Sequence, residues 1–361
     1  MKFPMALTIM ASMWLKVEST DWSHDRRCAV LFTERKDCGH IGTSKGECEA
    51  AGCCWRPAPS SRAGVPWCFH SQNIEPKYQM IAGIRGAGTD SYVLRHRWPE
   101  SDPTSERTLE VQIEKLHDII HLRIDGPNHP GVPSYLYRET SGYPMPLVSW
   151  DEPSYLALDI ELQDDPFQFT VRRREDQSVL FSTEARSEAD PFDSIIVKPH
   201  FVQLGTSLSK NHYIFGLGER ASRFRRAPRR MAMNARDTPA LEDQNSYGSH
   251  PFYMEMRPDG QAHGVLMLNS HPMEVELTED ALVYRMLGGA IDMYFFAGPT
   301  PDQVVEQYTR IIGRPPLMEP KFFGLHQCRY GYKTLEEWKA IVKGFEEHSI
   351  PLDGIWFDIE Y

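Results

Sequence analysis

Six of the seven cysteines of this chain lie between Cys28 and Cys68, with the spacing C-x9-C-x9-C-x4-C-C-x13-C. So short a stretch cannot bury enough apolar surface to fold on a hydrophobic core alone, so disulfides are expected to stabilise it. The adjacent Cys53 and Cys54 do not readily share one tetrahedral metal ion, so we expect no metal site. Six cysteines permit many pairings, and the spacing does not choose among them.

The N-terminus has the pattern of a signal peptide. One basic residue, Lys2, precedes a mostly apolar run from Phe3 to Leu15 that is too short to span a bilayer. We therefore predict a signal peptide over residues 1–20 and a destination in the secretory pathway, whether secreted, lysosomal or at the cell surface. No later apolar run is long enough to predict a transmembrane span.

The charge of the chain limits the partners it can bind. Apolar residues make up 41% of the sequence, enough for a packed core, and the net charge is −11. An acidic protein lacks the basic face with which nucleic-acid binders displace counterions from phosphates, so we expect no nucleic-acid partner. A neutral ligand fits this charge better, and we expect no cofactor.

A long region of short strands follows the cysteines. Residues 77–299 contain runs in which apolar and polar residues alternate, such as Ile120 to Ile124 and Phe167 to Val171, and turn signals such as Pro258-Asp259-Gly260 separate them. The alternation predicts half-buried strands, and their regular spacing predicts a large antiparallel β-sandwich.

A helix is predicted next, over residues 300–314. Thr300 and Gln303 form a capping-box pattern with Pro301 at the first helical position, and Gly313 provides the stop. We interpret this helix as the joint between two domains.

Residues 315–361 change to an α/β pattern. Phe322 to Leu325 reads as a buried strand, Thr334 and Glu337 open a helix with a second capping box, and Ile355 to Phe357 reads as another strand. A β-α-β unit implies parallel strands, so we expect the start of an incomplete (β/α)8 barrel. Asp358 would then lie at the carboxyl edge of a strand, where such barrels hold their active sites, although a turn or capping aspartate explains the spacing equally well.

Several motifs carry family resemblances. Arg35-x-x-Cys38-Gly39, Gly52-Cys53-Cys54-Trp55 and Pro66-Trp67-Cys68-Phe69 resemble the trefoil (P-type) domain. That resemblance implies the pairs Cys28–Cys54, Cys38–Cys53 and Cys48–Cys68 over a domain of residues 28–70. Trefoils are similar to small lectin-like modules, so Trp67 either stacks on a sugar ring or, as we favour, serves the small core.

The later motifs resemble glycoside hydrolase family 31. They are Phe215 to Arg220, Asn234 to Pro239, Gly313 to Pro316, Gly324 to Tyr332 and Trp356 to Tyr361. With the trefoil, they narrow the likeness to lysosomal and intestinal-type α-glucosidases and imply a galactose-mutarotase-like sandwich. The expected fold is therefore multidomain, with a disulfide-rich trefoil, an antiparallel β-sandwich and the first β-α-β of a truncated barrel.

Family members are retaining enzymes with two catalytic carboxyl groups, which lie on later barrel strands. The resemblance therefore assigns no catalytic residue to this chain and predicts that it is inactive. It does imply two residues that bind the α-glucan or oligosaccharide substrate: Asp358, which would bind hydroxyls of the sugar in the −1 subsite, and Asp237, on a sandwich loop that reaches the same ligand. Glu360 stands where the family usually has aspartate, so the family's local loop geometry is not expected to carry over unchanged to this position.

Two further features have plain interpretations. Six arginines between Arg220 and Arg230 indicate a solvated loop, with proteolytic processing or an anionic partner as alternatives. Cys328 is expected to be a buried thiol in the first barrel strand.

Three hypotheses about the whole molecule remain open at this point. The leading one is the N-terminal part of an α-glucosidase that acts on terminal α-linked glucose of maltose-like or glycogen-like substrates. The second is a secreted, non-catalytic carbohydrate-binding protein made of trefoil and sandwich. The third is an expression fragment, which predicts poor solubility because a lone β-α-β unit exposes apolar surface and an open strand edge.

Overall fold

A computed structural model describes residues 28, 35, 37–39, 42–58, 65–70, 78–86, 88–97, 106–126, 156–184, 195–198, 200–237, 239 and 241–359. The predicted signal peptide, residues 1–20, lies outside these ranges. The chain divides into two compact units, Met1–Ile311 and Ile312–Tyr361. None of the helices in the described ranges combines the length and the apolar character needed to cross a membrane.

The cysteine-rich segment is small and built around its sulfurs. Helix α1 (Lys45–Ala50) begins at Ser44, whose hydroxyl accepts from the Glu47 amide while the Glu47 carboxylate accepts from the Ser44 amide. Strands β1 (Cys54–Trp55) and β2 (Cys68–Phe69) pair antiparallel. The core consists mainly of cysteines that are almost fully buried, as expected where disulfides replace a hydrophobic core.

Three disulfides cross this segment: Cys28–Cys54, Cys38–Cys53 and Cys48–Cys68. Their Cα–Cα distances are 5.5, 6.2 and 5.7 Å, within the range that a disulfide can bridge. They tie the helix and both strands into one small module.

The predicted antiparallel sandwich is present. In the described part of the chain its strands are β3 (Tyr78–Arg85), β4 (Thr89–His96), β5 (Thr108–Leu116), β6 (Ile119–Asp125), β7 (Leu158–Asp164), β8 (Phe167–Arg173), β9 (Val179–Ser182), β10 (Ile196–Lys198), β11 (Phe201–Ser207), β12 (Tyr213–Gly216), β13 (Arg229–Met233), β14 (Phe252–Met256), β15 (Ala262–Met267), β16 (Met273–Leu277), β17 (Ala281–Met286) and β18 (Ile291–Phe296). They form an eight-stranded sheet in the order β12-β14-β15-β18-β6-β5-β4-β3, a five-stranded sheet in the order β10-β11-β17-β16-β13, and a three-stranded sheet, β7-β8-β9.

The expectation that these strands are half-buried is wrong for the centre of the eight-stranded sheet. Every residue of β15 and β18 is buried, because both faces of the sheet are covered. One face forms the main core with the other two sheets, where Phe169, Phe181 and Phe295 pack together.

Helix α2 (Pro301–Ile312) covers the other face of this sheet. Its Val304 and Ile311 join a second core with Ile119, Leu266 and Phe296, and Tyr308 stacks on Phe252 with ring centroids 4.1 Å apart. The predicted capping box is present, since the Thr300 hydroxyl accepts from the Gln303 amide at 3.2 Å. The helix therefore packs as part of the sandwich.

The second unit contains the predicted β-α-β. Strand β19 (His326–Cys328), helix α3 (Leu335–Glu347) and strand β20 (Gly354–Trp356) follow one another, and the two strands pair in parallel. Helix α3 begins with the predicted capping box at Thr334. The expected strand from Phe322 to Leu325 is wrong: residues Pro320–Phe323 form a 3-10 helix, because Pro320 presets the φ of a helical turn.

This unit leaves much apolar surface exposed. Trp338 of α3 is buried against the ring of Phe357, but Phe323, Trp356, Phe357 and Ile359 are each more than half exposed. Two parallel strands and one helix cannot cover both faces of a sheet, so this unit has the open surface expected of an incomplete barrel.

Candidate functional site

Asp237 lies on a loop that follows strand β13. Its backbone is held by the facing loop: the Asn234 amide donates to the Asn245 side-chain oxygen at 3.0 Å, and the Arg236 amide donates to the Ser246 carbonyl at 3.2 Å. Asp237 itself is exposed. The arrangement presents its carboxylate to solvent on an anchored backbone.

The side chain of Asp237 has one protein partner in the described region, Tyr247. The hydroxyl of Tyr247 is hydrogen-bonded to the Asp237 carboxylate, and this bond and the negative charge together raise the pKa of Tyr247 above its usual value. Tyr247 is 65% exposed. Asp237 therefore keeps acceptor sites free for a ligand while one bond fixes its direction.

Arg220 ties this loop system together. Its guanidinium donates to the Leu217 carbonyl at 3.1 Å, the Ala232 carbonyl at 2.6 Å and the Asp243 carbonyl at 2.8 Å. Partial burial and then the charges of Arg226 and Arg229 lower the pKa of Arg220. A guanidinium with three carbonyl partners from separate segments acts as a structural clamp beneath the Asp237 loop.

Three other arginines of the cluster also have protein partners. Arg226 donates to the Gly216 carbonyl at 2.7 Å, Arg229 forms an ion pair with Asp243, and Arg230 reaches Glu276 at 3.0 Å. Most arginines of the cluster remain exposed, as a solvated loop predicts, but these three already have hydrogen-bond or ion-pair partners within the protein. The described geometry therefore does not favour an unpaired anion-binding patch.

Sequence reasoning missed two groups beside this loop, Glu219 and His250. The Glu219 carboxylate accepts from the Gly248 amide at 3.1 Å and lies 3.4 Å from the His250 imidazole. The amide and the imidazole together lower the pKa of this exposed carboxyl group. Glu219 could have been recognised from the sequence, because it lies within the Phe215-to-Arg220 motif.

Asp358 lies two residues after the end of strand β20, at the carboxyl edge of the parallel pair. It is partly buried, and its carboxylate accepts a hydrogen bond from the Ile359 amide at 2.8 Å. This is the turn contact that the alternative interpretation expects, and it uses one of the two oxygens, so the other can still accept from a ligand. Glu360 lies outside the described residues.

Neighbouring residues fix this edge of the sheet. The Trp356 indole donates to His326 at 3.0 Å, and the Gln327 amide donates to the Tyr332 hydroxyl at 2.9 Å.

The expectation of a buried Cys328 is wrong: its thiol is exposed, because no third strand or second helix covers β19 in the described part of this unit. Asp237 belongs to the first unit and Asp358 to the second.

The three sulfurs of Cys38, Cys53 and Cys68 lie within 4.8 Å of one another. Each is bonded in a disulfide, so this group offers no thiolate to a metal ion.

A disulfide-bonded module, an antiparallel sandwich and an opening β-α-β unit, with a candidate aspartate on each of the last two, make up a multidomain protein. Three family models match in this order: the trefoil (P-type) domain over residues 28–71, the glycosyl hydrolase 31 N-terminal galactose mutarotase-like domain over 134–276, and the glycosyl hydrolases family 31 TIM-barrel domain over 315–361. The chain belongs to glycoside hydrolase family 31.

Curated relatives agree with this family. Lysosomal alpha-glucosidase of Mus musculus is 34% identical over 348 residues, which cover 93% of this chain and 34% of the relative. A probable alpha-glucosidase of Oryza sativa subsp. japonica is 40% identical over 283 residues, 73% of this chain and 31% of the relative. Alpha-xylosidase 1 of Arabidopsis thaliana is 39% identical over 204 residues, which cover 55% of this chain and 21% of the relative. The chain thus spans about a third of the length of the first relatives it matches.

Solved structures show the same fold. A glycoside hydrolase family 31 dextranase of Flavobacterium johnsoniae in complex with glucose superposes with a TM-score of 0.58 at 19% identity, over 80% of this chain and 34% of that one. A glucosidase II alpha subunit superposes with a TM-score of 0.58 at 19% identity, over 80% of this chain and 39% of that one.

Proposed function

We propose that this chain is the N-terminal part of a retaining α-glucosidase that releases terminal α-linked glucose from maltose-like or glycogen-like glucans. The observation that carries the proposal is the 34% identity to a lysosomal alpha-glucosidase across 93% of the chain. Asp237 lies within the residues matched by the family 31 N-terminal domain model, and Asp358 lies within those matched by the TIM-barrel domain model.

In this proposal both aspartates bind sugar hydroxyls. A carboxylate accepting from hydroxyls forms charge-assisted, directional hydrogen bonds, which position the sugar ring before bond cleavage. The bond from Tyr247 to Asp237 and the bond from the Ile359 amide to Asp358 support the role, because each holds a carboxylate in one orientation before the sugar arrives.

Bond cleavage by a retaining enzyme needs a nucleophilic carboxylate and a second carboxyl group that protonates the leaving oxygen. We assign neither to the 361 residues, and we infer that a polypeptide of these residues alone does not hydrolyse glucosides. The proposed organisation is a signal peptide (1–20), a trefoil (28–70), a sandwich (77–299), a linking helix (300–314) and the start of the catalytic barrel (315–361).

The proposed location is the secretory pathway. Three disulfides in a module with a cysteine core form and persist in an oxidising compartment, which supports this location. Lysosomal relatives support it further.

A second candidate is a secreted, non-catalytic carbohydrate-binding protein. One observation favours it: the described residues of the sandwich form buried cores between its sheets and with helix α2, whereas the residues after Ile312 expose apolar side chains. The sandwich then supplies a stable scaffold without a finished barrel. This candidate predicts maltotriose binding with no hydrolysis from any product of the gene.

The experiment compares maltose hydrolysis by the purified natural protein with that of Asp358→Asn and Asp237→Asn variants. Each substitution should lower kcat/KM by about 10-fold to 100-fold, because a charged acceptor is lost from the sugar site. Asp259→Asn is the matched control, since Asp259 accepts from the Gln261 amide in a surface turn. Hydrolysis that is insensitive to both site variants would disprove these roles, and a natural protein without hydrolysis would favour the second candidate.

A further inference from the structure

A polar groove opens on the sandwich where the three-stranded sheet meets the end of strand β11. Its volume is about 370 Å³, within the range of small-ligand pockets. The lining residues are Thr170, Arg172, Val179, Ser182, Glu184, Ser207, Leu208, Ser209 and Arg257. All belong to the first unit.

The walls of the groove are rich in hydroxyl groups. Thr170 and Ser182 face each other across β8 and β9 with their hydroxyl oxygens 2.8 Å apart, and Ser207 and Ser209 also line the groove. A hydroxyl oxygen has two acceptor lone pairs, so a hydroxyl that already donates to a protein group can still accept from a ligand hydroxyl. This chemistry suits a ligand that is itself rich in hydroxyls.

Both guanidinium groups of the groove already lie beside a carboxylate. Arg172 donates to Glu161 at 3.1 Å, and Arg257 lies 3.7 Å from Glu255 and donates to the Val179 carbonyl. Glu184 adds a further negative charge to the lining. Because both guanidiniums already face a carboxylate, an anion such as phosphate gains little here, whereas a neutral polyol can bridge the paired groups.

The floor of the groove is rigid. Leu208 is 1% exposed, and Ser209 donates to the Glu255 carboxylate, which is itself 1% exposed and lies 3.8 Å from the imidazole of His263. The buried Leu208 and the hydrogen bond from Ser209 to Glu255 restrict this floor, so it loses little conformational entropy when a ligand binds.

We propose that this groove binds a neutral glucose unit of an α-glucan chain. The choice of glucan rests on the proposed function, whereas the preference for a neutral polyhydroxy ligand rests on the groove itself. Asp237 follows β13, at the edge of the five-stranded sheet farthest from β10, whereas the groove touches that sheet at β11. Asp237 and the groove can therefore be mutated independently of each other.

The experiment measures maltotriose binding to the full chain by calorimetry and by NMR. Arg172→Ala removes a polar wall of the groove, and Ser207→Trp fills it from a partly exposed position. Each should weaken maltotriose binding by at least about fivefold, the loss expected for one hydrogen bond to a charged group. Arg174→Ala is the matched control, because Arg174 pairs with Asp159 beside the same sheet but does not line the groove.

Groove binding should persist in Asp237→Asn, and inorganic phosphate should not compete with maltotriose.

The inference is overturned if maltotriose does not bind, if phosphate binds in its place, or if folded Arg172→Ala and Ser207→Trp bind as tightly as the parent. It is also overturned, with the proposed function intact, if only Asp237→Asn weakens binding. Persistent groove binding in a natural protein that does not hydrolyse maltose would instead count against the proposed function alone.

Discussion

The hydroxyl of Tyr247 donates to the carboxylate of Asp237, and both side chains stand exposed on facing segments of one loop system. In the same loop system, Arg220 donates to the carbonyls of Leu217, Ala232 and Asp243. Part-buried and exposed hydrogen bonds of Arg220 thus hold the segments around one exposed carboxylate.

The Tyr247–Asp237 bond predicts a measurable titration. Because the carboxylate raises the pKa of Tyr247, Asp237→Asn should return that pKa toward the ordinary tyrosine value. NMR titration of ring-labelled tyrosine in the 361-residue chain measures the change. Asp259→Asn should leave the Tyr247 titration as it is in the parent. An unchanged Tyr247 pKa in Asp237→Asn would mean that the two side chains do not interact.

His121 gives the sandwich a pH-dependent stability. Its two ring nitrogens lie 3.1 Å from Glu114 and 2.7 Å from Asp292, and Arg123 also faces Asp292 at 3.4 Å. Burial acts to lower the pKa of His121, but the hydrogen bonds and charges of Asp292 and Glu114 outweigh it and raise the pKa to about 9. The folded state therefore holds a proton that the unfolded state releases near pH 6.5.

Because the folded pKa is the higher one, this stabilisation is fully present below about pH 6.5 and is lost as the pH rises through about 9. The loss amounts to about 3 kcal/mol of unfolding free energy. Denaturant unfolding at several pH values should show this slope in the parent and not in His121→Gln. His250→Gln, on an exposed loop, should keep the parental slope, and equal slopes in all three proteins would contradict the assignment.

Helix α2 should contribute to the stability of the sandwich. Val304 is fully buried on the outer face of the eight-stranded sheet, whereas the next residue, Val305, is 48% exposed. Val304→Ala should lower the unfolding free energy by about 2 kcal/mol, because it removes buried methyl groups and leaves a cavity. Val305→Ala should cost less than about 0.5 kcal/mol. Equal effects of the two substitutions would indicate a helix that only links domains.

The disulfides of the first module can be checked directly. Peptide mapping of the non-reduced protein should return Cys28–Cys54, Cys38–Cys53 and Cys48–Cys68. Removal of one pair, such as Cys48 and Cys68 to alanine, should destabilise the module by about 2–5 kcal/mol. A different pairing would refute the framework.

Local sequence signals predicted much of the fold. Thr300 and Thr334 identified both helix starts because a capping box depends on residues three apart, and short alternating runs identified the sandwich strands. Burial on both faces of β18 was not predictable, because it depends on helix α2 returning to cover that sheet. The exposed Cys328 was missed for a similar reason, since its burial depends on elements remote in sequence.

The residues of the candidate site were also only partly predictable from the sequence. Motif resemblance identified Asp237 and Asp358, whereas Tyr247 and His250 come from a loop that pairs with the motif segments only in three dimensions. The disulfide pattern also came from resemblance, because spacing alone leaves many pairings open.

The central claim is that these residues bind an α-glucan but lack the carboxyl pair that cleaves it. The most direct test follows maltotriose by NMR in the presence of the purified 361-residue chain. The account predicts line broadening of the sugar resonances from binding, with no glucose released over several days. Time-dependent release of glucose by this chain would contradict the account, because it would require a catalytic pair within the printed sequence.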